Sequence, residues 1–439
     1  MKAPRRPNVI FIVADDLGYA DLGCYGGRDA GFGAVSPVLD SLAERGVRFV
    51  EGYANSPVCS PTRFALATGR YQYRLRGAAE EPMHGAAARR LGLPASEPTV
   101  PSLLKAHGYR TALVGKWHLG YPPLFGPLRS GYDEFFGPMA GGVDYWTHCT
   151  GAGQHDLWFG EAECRREGYL TDLLSRHAVD YVERMARDPQ TPFFLSLHYT
   201  APHWPWETRD PATAAEVNGK LFHLDGGNVE TYLQMIRHMD EGIGWVLEAL
   251  RRHGLERDSL VIFTSDNGGE RFSDNWPLVG GKMDLTEGGI RVPWIAQWPA
   301  LIPPASVSPQ PCMSMDWSAT VLAAAGVPPH PEYPLDGISL LSVLEQPDAT
   351  FDRPMYWRMK HRGQRAFRSG AWKYLRVDQH DYLFNLEKDA RERANLARRD
   401  PDRADAMRRD WEAWNDTMPP VPDDAAVTLV YSAGDMPQR

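Results

Sequence analysis

The sequence predicts an α/β protein in which helices flank a large, mixed but mostly parallel β-sheet. Short apolar runs typical of buried strands alternate with segments whose apolar residues recur at helical spacing, and the alternation continues through most of the chain. After about residue 350 the pattern changes to short polar and aromatic runs separated by tight turns. We therefore expect residues 1–350 to form one domain. We expect residues 351–439 to form a C-terminal α+β subdomain with a small antiparallel sheet and a helix.

Capping residues and apolar spacing locate the elements of the larger domain. Ser36 precedes the first predicted helix as its N-cap, and Gly46 lies just beyond its end. The longest helix is indicated by Met235, Met239 and Val246, which recur at helical spacing. In chain order the predictions are strand Val9–Ala14, helix Pro37–Glu44, helix Val100–His107, strand Thr111–Gly115, helix Leu170–Arg187, strand Phe193–Leu197, helix Val229–Arg252, strand Leu260–Thr264 and helix Trp317–Ala325.

The C-terminal subdomain has a different pattern. The segment Met355–Leu386 predicts an antiparallel meander, and the charged segment Arg391–Trp414 predicts a helix. The tail after Met418 is rich in Pro and Asp, which is typical of a loosely held terminus.

Composition narrows the function. The chain has 439 residues, 43% of them hydrophobic, and a net charge of −9, which gives no support to nucleic-acid binding. No apolar run approaches the roughly 20 residues that span a bilayer. The N-terminal apolar run is short and ends in Asp15 and Asp16 without a cleavage site, so it reads as a strand and not a signal peptide. This favours a cytoplasmic location, or a periplasmic or secreted one if a leader has been removed.

The five cysteines are too few and too scattered for a disulfide framework. Cys149 and Cys164 could pair, but we expect all five to be reduced. Cys59 differs from the other four cysteines in its flanking sequence, because it begins the segment CSPTR at residues 59–63.

Oxygen ligands follow two of the predicted strands. Asp15 and Asp16 end the first strand, and Asp266 and Asn267 end a later one. Buried carboxylates this close repel one another unless a cation lies between them. Oxygen ligands of this kind favour a hard divalent cation, Ca²⁺ before Mg²⁺.

Basic and titratable side chains follow the strands in the same way. Lys116 and His118 come directly after a strand, and because they are two residues apart they are expected on one face. His203 lies in a proline-flanked loop, and Lys282 opens a glycine-rich loop. A lysine beside an imidazole at a strand end suits an oxyanion.

Together these segments resemble the type I sulfatases, a formylglycine-dependent, arylsulfatase-like family within the alkaline phosphatase superfamily. The resemblance rests on CSPTR at 59–63, on GYRTALVGKWH at 108–118, and on the residues above, in the order the family has them. It implies an alkaline-phosphatase-like sandwich. It also implies that Cys59 is oxidised by a formylglycine-generating maturation enzyme, that the cation is Ca²⁺, and that a small sulfated molecule is the substrate.

The resemblance assigns roles to individual residues. It implies the metal ligands Asp15, Asp16, Cys59, Asp266 and Asn267, and the catalytic residues Cys59, Arg63, Lys116, His118, His203 and Lys282. In the implied reaction an aldehyde hydrate at residue 59 attacks sulfur, while the two lysines and the cation neutralise the sulfate oxygens. His203, with Lys282, protonates the leaving alkoxide, and His118 then removes a proton so that sulfate is released. Arg63, on a helix expected to begin at Pro61, steadies the hydrate.

Two alternatives stay open at this point. One is a phosphonate or phosphate ester hydrolase of the same superfamily, and the other is a binding protein for sulfated glycans in which Cys59 remains a thiol. A further sulfate contact is expected in the loop 141–148, from Thr147 or His148, and His198 is expected to be a packed strand residue. The loop Gly141–Gly160 resembles sulfatases that act on sulfated glycans, which favours a saccharide substrate with aryl sulfates as artificial ones.

Overall fold

The computed structural model describes residues 6–27, 30–217 and 226–429. Within them, the strands are β1 (Asn8–Ala14), β2 (Val47–Phe49), β3 (Gly52–Tyr53), β4 (Arg110–Gly115), β5 (Glu134–Gly137), β6 (Trp158–Phe159), β7 (Ala162–Glu163), β8 (Phe193–His198), β9 (Ser259–Ser265), β10 (Trp294–Gln297), β11 (Ser306–Ser308), β12 (Cys312–Met313), β13 (Met355–Arg358), β14 (Arg365–Ser369), β15 (Trp372–Val377) and β16 (His380–Asn385).

The α-helices of the same residues alternate with these strands. They are α1 (Pro37–Glu44), α2 (Cys59–Thr68), α3 (Val100–Ala106), α4 (Leu170–Met185), α5 (Pro211–Val217), α6 (Val229–Arg252), α7 (Glu287–Ile290), α8 (Ser314–Ala324), α9 (Leu341–Glu345) and α10 (Pro401–Asn415).

Ten strands of the described residues form one mixed sheet in the order β11-β2-β10-β9-β1-β8-β4-β5-β6-β7. Its centre is parallel: β1 pairs with β8 and β9, and β4 pairs with β8 and β5. Antiparallel neighbours occur toward both edges, at β10 on one side and at β6 and β7 on the other. The predicted α/β class with a mostly parallel sheet is confirmed.

Helices cover both faces of the sheet, and alternation along the central strand divides the apolar core between them. Ile10 and Ile12 of β1 pack in the core that contains α4 and α6. Val9, Phe11 and Val13 pack in a second core on the other face, with residues of α2, α3 and α8. Because the strand is buried on both faces, its sequence is a continuous apolar run.

The predicted element bounds agree closely with the structure in the larger part of the chain. The bounds of α1 and α6 coincide with the prediction, and the largest difference among the predicted elements up to residue 325 is at α8, which begins at Ser314 and not at Trp317. Helix α2 begins at Cys59, two residues before the predicted Pro61. The proline still lies in the first turn, where its missing N–H costs no intrahelical hydrogen bond.

The C-terminal region forms the expected antiparallel sheet, in the order β13-β14-β15-β16, with α10 packed against it. The predicted start of that helix at Arg391 is wrong, because α10 begins at Pro401. Asp400 caps it by accepting a hydrogen bond from the backbone N–H of Arg403. Upstream, Glu392 is drawn into the interior by an ion pair with Lys373, which holds this segment in a non-helical path.

Within the described residues, no helix has both the length and the apolar character that crossing a bilayer requires. No disulfide joins the five cysteines, as predicted.

Candidate active site

Four parallel strands bring the polar residues of the sequence analysis to one edge of the sheet. Asp15 follows β1, Lys116 follows β4, His203 lies in the loop after β8, and Asp266 follows β9. The carboxyl ends of neighbouring parallel strands meet at the same edge, where open α/β sheets place their ligands. The residues therefore converge although up to 251 positions separate them in sequence.

A left-handed backbone conformation lets adjacent carboxylates reach one site. Neighbouring side chains on a strand point to opposite faces, but Asp16 lies beyond the end of β1 and has φ of +62°. Non-glycine residues rarely adopt this conformation, and such strain is concentrated at functional sites. His118 and Met283, the latter next to Lys282, share it, with φ of +58° and +74°.

Oxygen atoms of both strand ends surround a space suited to a cation. Carboxylate oxygens of Asp15, Asp16 and Asp266 lie within 4.8 Å of one another, and so do ligand atoms of Asp15, Cys59 and His203. The buried atoms Oδ1 of Asp15 and Oδ1 of Asn267 have no hydrogen-bond donor. Buried acceptors without donors fit a bound cation, because a cation satisfies them where no N–H or O–H does.

The pKa values of two carboxyl groups at this site are shifted strongly from their ordinary values. Burial, followed by the neighbouring Asp266, raises the pKa of Asp15 well above its ordinary value. Burial acts in the same direction on Asp16, but Lys282, His203 and Lys116 outweigh it and lower the pKa of that carboxyl. The two adjacent carboxyls therefore differ in environment, with Asp15 favouring its protonated form and Asp16 its ionised form.

Cys59 is the first residue of α2, and its side chain is buried beside the carboxylates. Burial raises the pKa of the thiol to about 12, against the lowering effect of Lys116 and Lys282. The unmodified side chain is therefore a neutral thiol near neutral pH, and it is a poor nucleophile, since the thiolate is the reactive form.

Arg63 lies one turn further along α2 and is held by the metal-site carboxylates. Its Nε and Nη2 donate to Oδ2 of Asp266 at 3.1 and 2.8 Å, and Nη2 lies 3.7 Å from Oδ1 of Asp15. Its Nη1 donates to the backbone oxygen of Lys116 at 3.3 Å and lies 3.4 Å from Nδ1 of His198. His198 is a buried strand residue, as predicted, and it also packs against this arginine.

Two buried lysines each pair with one carboxylate. Nζ of Lys116 donates to Asp15 at 2.5 Å, and Nζ of Lys282 donates to Asp16 at 2.6 Å. The amide nitrogen of Asn267 also donates to Asp16, at 2.7 Å. β4 ends at Gly115, so Lys116 and His118 lie beyond the strand. The alternation of side chains along a strand, from which they were expected on one face, therefore does not apply to them.

Hydrogen bonds fix the tautomers of both histidines. Nε2 of His118 lies 2.7 Å from the backbone oxygen of Met83, and Nδ1 of His203 lies 2.5 Å from the backbone oxygen of Trp204. A carbonyl oxygen only accepts, so each of these nitrogens carries a proton. The buried Nδ1 of His118 is then a lone-pair acceptor, and no protein donor reaches it. Nε2 of His203 lies 3.6 Å from Asp16, and burial lowers the pKa of both rings well below the ordinary value.

The groups that position these rings were not predicted from the sequence. Gly141 and Gly142 lie directly against them: a Cβ atom at Gly141 would be 2.3 Å from Cε1 of His118, and one at Gly142 would be 3.0 Å from Cε1 of His203. The buried His148, one of the two predicted contacts of this loop, has Nε2 3.1 Å from the backbone oxygen of Gly168. A pair of glycines next to a predicted site is a signal for such close approach.

Aromatic side chains lie near the site as well. The ring of Trp204 packs on that of His203, with 4.5 Å between centroids. Trp206 is buried against Phe272, whereas Trp276 is 60% exposed. Trp204 is the tryptophan best placed to contact a bound molecule.

Comparison with known proteins gives consistent matches. Residues 7–327 match the sequence profile of the Sulfatase family. The chain is 33% identical over 400 residues to N-acetylgalactosamine-6-sulfatase of Homo sapiens, covering 81% of this chain and 69% of that protein. It is 32% identical over 375 residues to arylsulfatase A of Homo sapiens, covering 77% and 68%.

A solved structure shows the same architecture. The crystal structure of Ps i-CgsB in complex with k-i-k-neocarrahexaose superimposes with a TM-score of 0.83 and is 31% identical, covering 98% of this chain and 96% of that one. The match includes the C-terminal sheet, because it extends over nearly the whole of both chains.

Proposed function

The chain belongs to the sulfatase family, whose members are sulfuric ester hydrolases of alkaline-phosphatase-like fold, and we propose that it hydrolyses a sulfate monoester of a carbohydrate. The observation that supports this most directly is the convergence of Cys59, two buried lysines and two histidines around a group of carboxylates. Aryl sulfates are expected to serve as artificial substrates.

The cation proposed for this site is Ca²⁺. Asp15, Asp16, Asp266 and Asn267 would hold it, together with the side chain at position 59, because they supply the oxygen ligands that hard cations prefer. When bound, the cation lowers the pKa of an attached oxygen and offsets the charge of the sulfate. Calcium is favoured over magnesium since it takes six to eight oxygen ligands directly, whereas magnesium usually keeps several waters.

The nucleophile requires modification of Cys59. Oxidation to formylglycine by a maturation enzyme supplies an aldehyde whose hydrate has two hydroxyl groups. Burial raises the pKa of the unmodified thiol and keeps it neutral, which supports the need for this modification. Arg63, on the same face of α2, lies where it steadies the modified side chain through its bonds to Asp266.

The two lysines bind the sulfate. Lys116 and Lys282 are buried and approach the site from different loops, so their ammonium groups contact different oxygens of a tetrahedral anion. Fixed charges in a water-poor site commonly supply the largest catalytic contribution. Both lysines are already oriented by carboxylates, so little reorganisation accompanies binding.

Proton transfer is assigned to the histidines and Lys282. His203 and Lys282 both border Asp16, and this pair donates a proton to the leaving alkoxide. His118 accepts a proton at Nδ1 during sulfate release, since its Nε2 is committed to the Met83 carbonyl. The carbonyl bonds leave Nδ1 of His118 and Nε2 of His203 free. The shared contact of His203 and Lys282 with Asp16 is what assigns the acid role to that pair.

A saccharide substrate is supported by two relatives. The name of the human relative specifies N-acetylgalactosamine 6-sulfate chemistry, and Ps i-CgsB was crystallised with a neocarrahexaose. Trp204, beside His203, offers an aromatic face of the kind that packs on sugar rings.

Purified protein, co-expressed with a formylglycine-generating enzyme, tests the proposal against a panel of sulfated mono- and oligosaccharides. We expect release of inorganic sulfate, loss of activity on removing calcium with a chelator, and recovery when calcium is returned. Mass spectrometry of the peptide around Cys59 should show the aldehyde. Faster hydrolysis of phosphate or phosphonate esters, or saturable glycan binding with an unmodified thiol, would overturn the assignment.

A further inference from the structure

A cavity separate from the sulfate site lies beside α2, with a volume of about 240 Å³. Pro61 contributes to its wall. Two residues along a helix turn the side chain by about 200°, so Pro61 projects from the side of α2 opposite to Cys59. None of the residues assigned to the sulfate site lines this cavity.

The charged residues of this cavity are mostly cations. Arg74, Arg76, Arg358 and Lys360 line it, and Glu81 is the one carboxylate among its lining residues. Arg74 pairs with Asp336 at 2.7 Å, and Arg76 pairs with Glu80 at 2.7 Å and with Asp424 at 3.1 Å, all carboxylates outside the lining. The remaining two cations decide what the cavity can bind.

Arg358 is a buried guanidinium without a carboxylate partner. Its Nη1 donates to Oδ1 of Asn415 at 2.8 Å and Nη2 to the backbone oxygen of Pro419 at 2.5 Å, both neutral acceptors. The buried Nε has no acceptor, and the guanidinium lies over the ring of Tyr73 at 4.9 Å. No carboxylate of the described residues comes within 4.0 Å of it, and burial lowers its pKa.

The other buried arginines of the described residues show what is missing. Each lies within 4.0 Å of at least one carboxylate: Arg63 pairs with Asp266 at 2.8 Å, Arg291 with Glu287 at 3.5 Å and Arg368 with Glu51 at 2.5 Å. A buried charge without a counter-charge is costly. Among the buried arginines of the described residues, Arg358 is the one that lacks a carboxylate partner.

Lys360 is only partly buried, but it too has no carboxylate among its hydrogen-bond partners. Its Nζ donates to the backbone oxygens of Pro422, Asp423 and Ala425 at 3.2, 2.6 and 2.8 Å. The carboxylate of Glu81 accepts instead from backbone N–H groups of residues 360 and 361, at 2.7 and 2.8 Å. The lining therefore has two cations whose side chains are bound only to neutral groups.

We propose that this cavity binds a small oxyanion, with Arg358 as its main ligand and Lys360 as a further cation. The shared chemistry is that of a sulfate or a small carboxylate, since a guanidinium binds either through paired N–H donors. The anion supplies the missing counter-charge, and it joins α2 to the segment 419–422, which forms another wall of the cavity.

Crystals of the full chain test this when soaked with selenate, which resembles sulfate and scatters anomalously, and separately with malonate, a small dicarboxylate. We expect one of the two anions beside the Arg358 guanidinium, both in the native protein and in Lys282→Met, where the active site is impaired. In solution, the same anion should bind saturably to Lys282→Met by calorimetry. Arg358→Gln in that background should bind at least tenfold more weakly.

Arg409→Gln is the matched control, because Arg409 is an exposed arginine of α10 outside the cavity, and it should leave anion affinity unchanged. If Arg358→Gln does not fold, Lys360→Met replaces it, since that side chain lines the cavity, and a several-fold loss is expected. Absence of both anions beside Arg358, density without saturable binding in solution, or equal affinity in the cavity variants would overturn the proposal. None of these outcomes bears on sulfatase activity.

Discussion

Substituting Gly141 by alanine should displace His118 and slow catalysis without unfolding the protein. The added Cβ would lie 2.3 Å from Cε1 and 2.6 Å from Nε2 of the imidazole, whereas ordinary contact begins near 3.4 Å. The ring must therefore move by about 1 Å to restore an ordinary contact of 3.4 Å. Gly141 does not have a left-handed backbone, so alanine itself adds no conformational strain.

The size of the effect follows from that displacement. The bond from Nε2 of His118 to the Met83 oxygen is 2.7 Å long, and lengthening it by about 1 Å breaks it. Loss of one such bond costs about 1 kcal/mol of stability. Misplacing a reacting group by about 1 Å costs on the order of 100-fold in rate. We therefore expect kcat to fall about 100-fold, with KM little changed.

Gly142→Ala provides the matched comparison. Its Cβ would lie 3.0 Å from Cε1 of His203, so a shift of about 0.4 Å restores ordinary contact, and a loss of less than about tenfold is expected. Steady-state kinetics on an aryl sulfate would measure both variants, after mass spectrometry has shown equal modification of Cys59. His118→Ala combined with Gly141→Ala should be no slower than His118→Ala alone. A double variant that is a further 100-fold slower would refute the argument.

Three further predictions concern the nucleophile and the buried charges. Cys59→Ser should accumulate a stable sulfated enzyme, visible in its intact mass, because serine has a single hydroxyl and cannot expel sulfate; full turnover would contradict the mechanism. Burial, with Asp144 nearby, raises the pKa of Glu207 from 4.5 to about 8. The folded state therefore keeps a proton that the unfolded chain releases, and stability should fall as pH rises from 4.5 to 8. The difference in unfolding free energy between pH 5 and pH 8.5, measured with urea, should be smaller by roughly 4 kcal/mol in Glu207→Gln. An unchanged difference would refute this prediction. Lys373→Met removes the cation 2.9 Å from both Glu287 and Glu392 and, among the described residues, leaves only Arg291 beside Glu287, so denaturation should show a loss of about 3–5 kcal/mol; a loss below about 1 kcal/mol would contradict this.

The fold and the convergence of strand-end residues were predictable because both depend on patterns local in sequence. Apolar runs located β1 and β9, and parallel pairing then places Asp15 and Asp266 at one edge. The spacing of apolar residues gave α6 its bounds without error. Charged composition was less dependable for the start of α10, since buried charge and not propensity decides the path before Pro401.

Other features of the site depend on contacts that no local pattern contains. The left-handed conformations of Asp16 and His118 are imposed by surrounding structure, so the sequence alone could not distinguish them from extended residues. The tautomer of His118 is fixed by the backbone oxygen of Met83. Every residue has such an oxygen, so this contact cannot be recognised from the sequence. The contact of Gly141 with that ring was likewise readable only as a glycine pair in a loop.

The C-terminal sheet contributes to the sulfate site through one side chain. Gln364 lies just before β14, and its amide nitrogen donates to the backbone oxygen of Met283 at 2.8 Å while its amide oxygen accepts from the N–H of Leu285, also at 2.8 Å. These residues directly follow Lys282, and Met283 has the strained left-handed backbone. A strained segment persists only where neighbouring structure holds it. The small sheet is therefore part of what positions the lysine beside Asp16, so the proposed catalytic geometry depends on residues beyond the range 7–327 that matches the family profile.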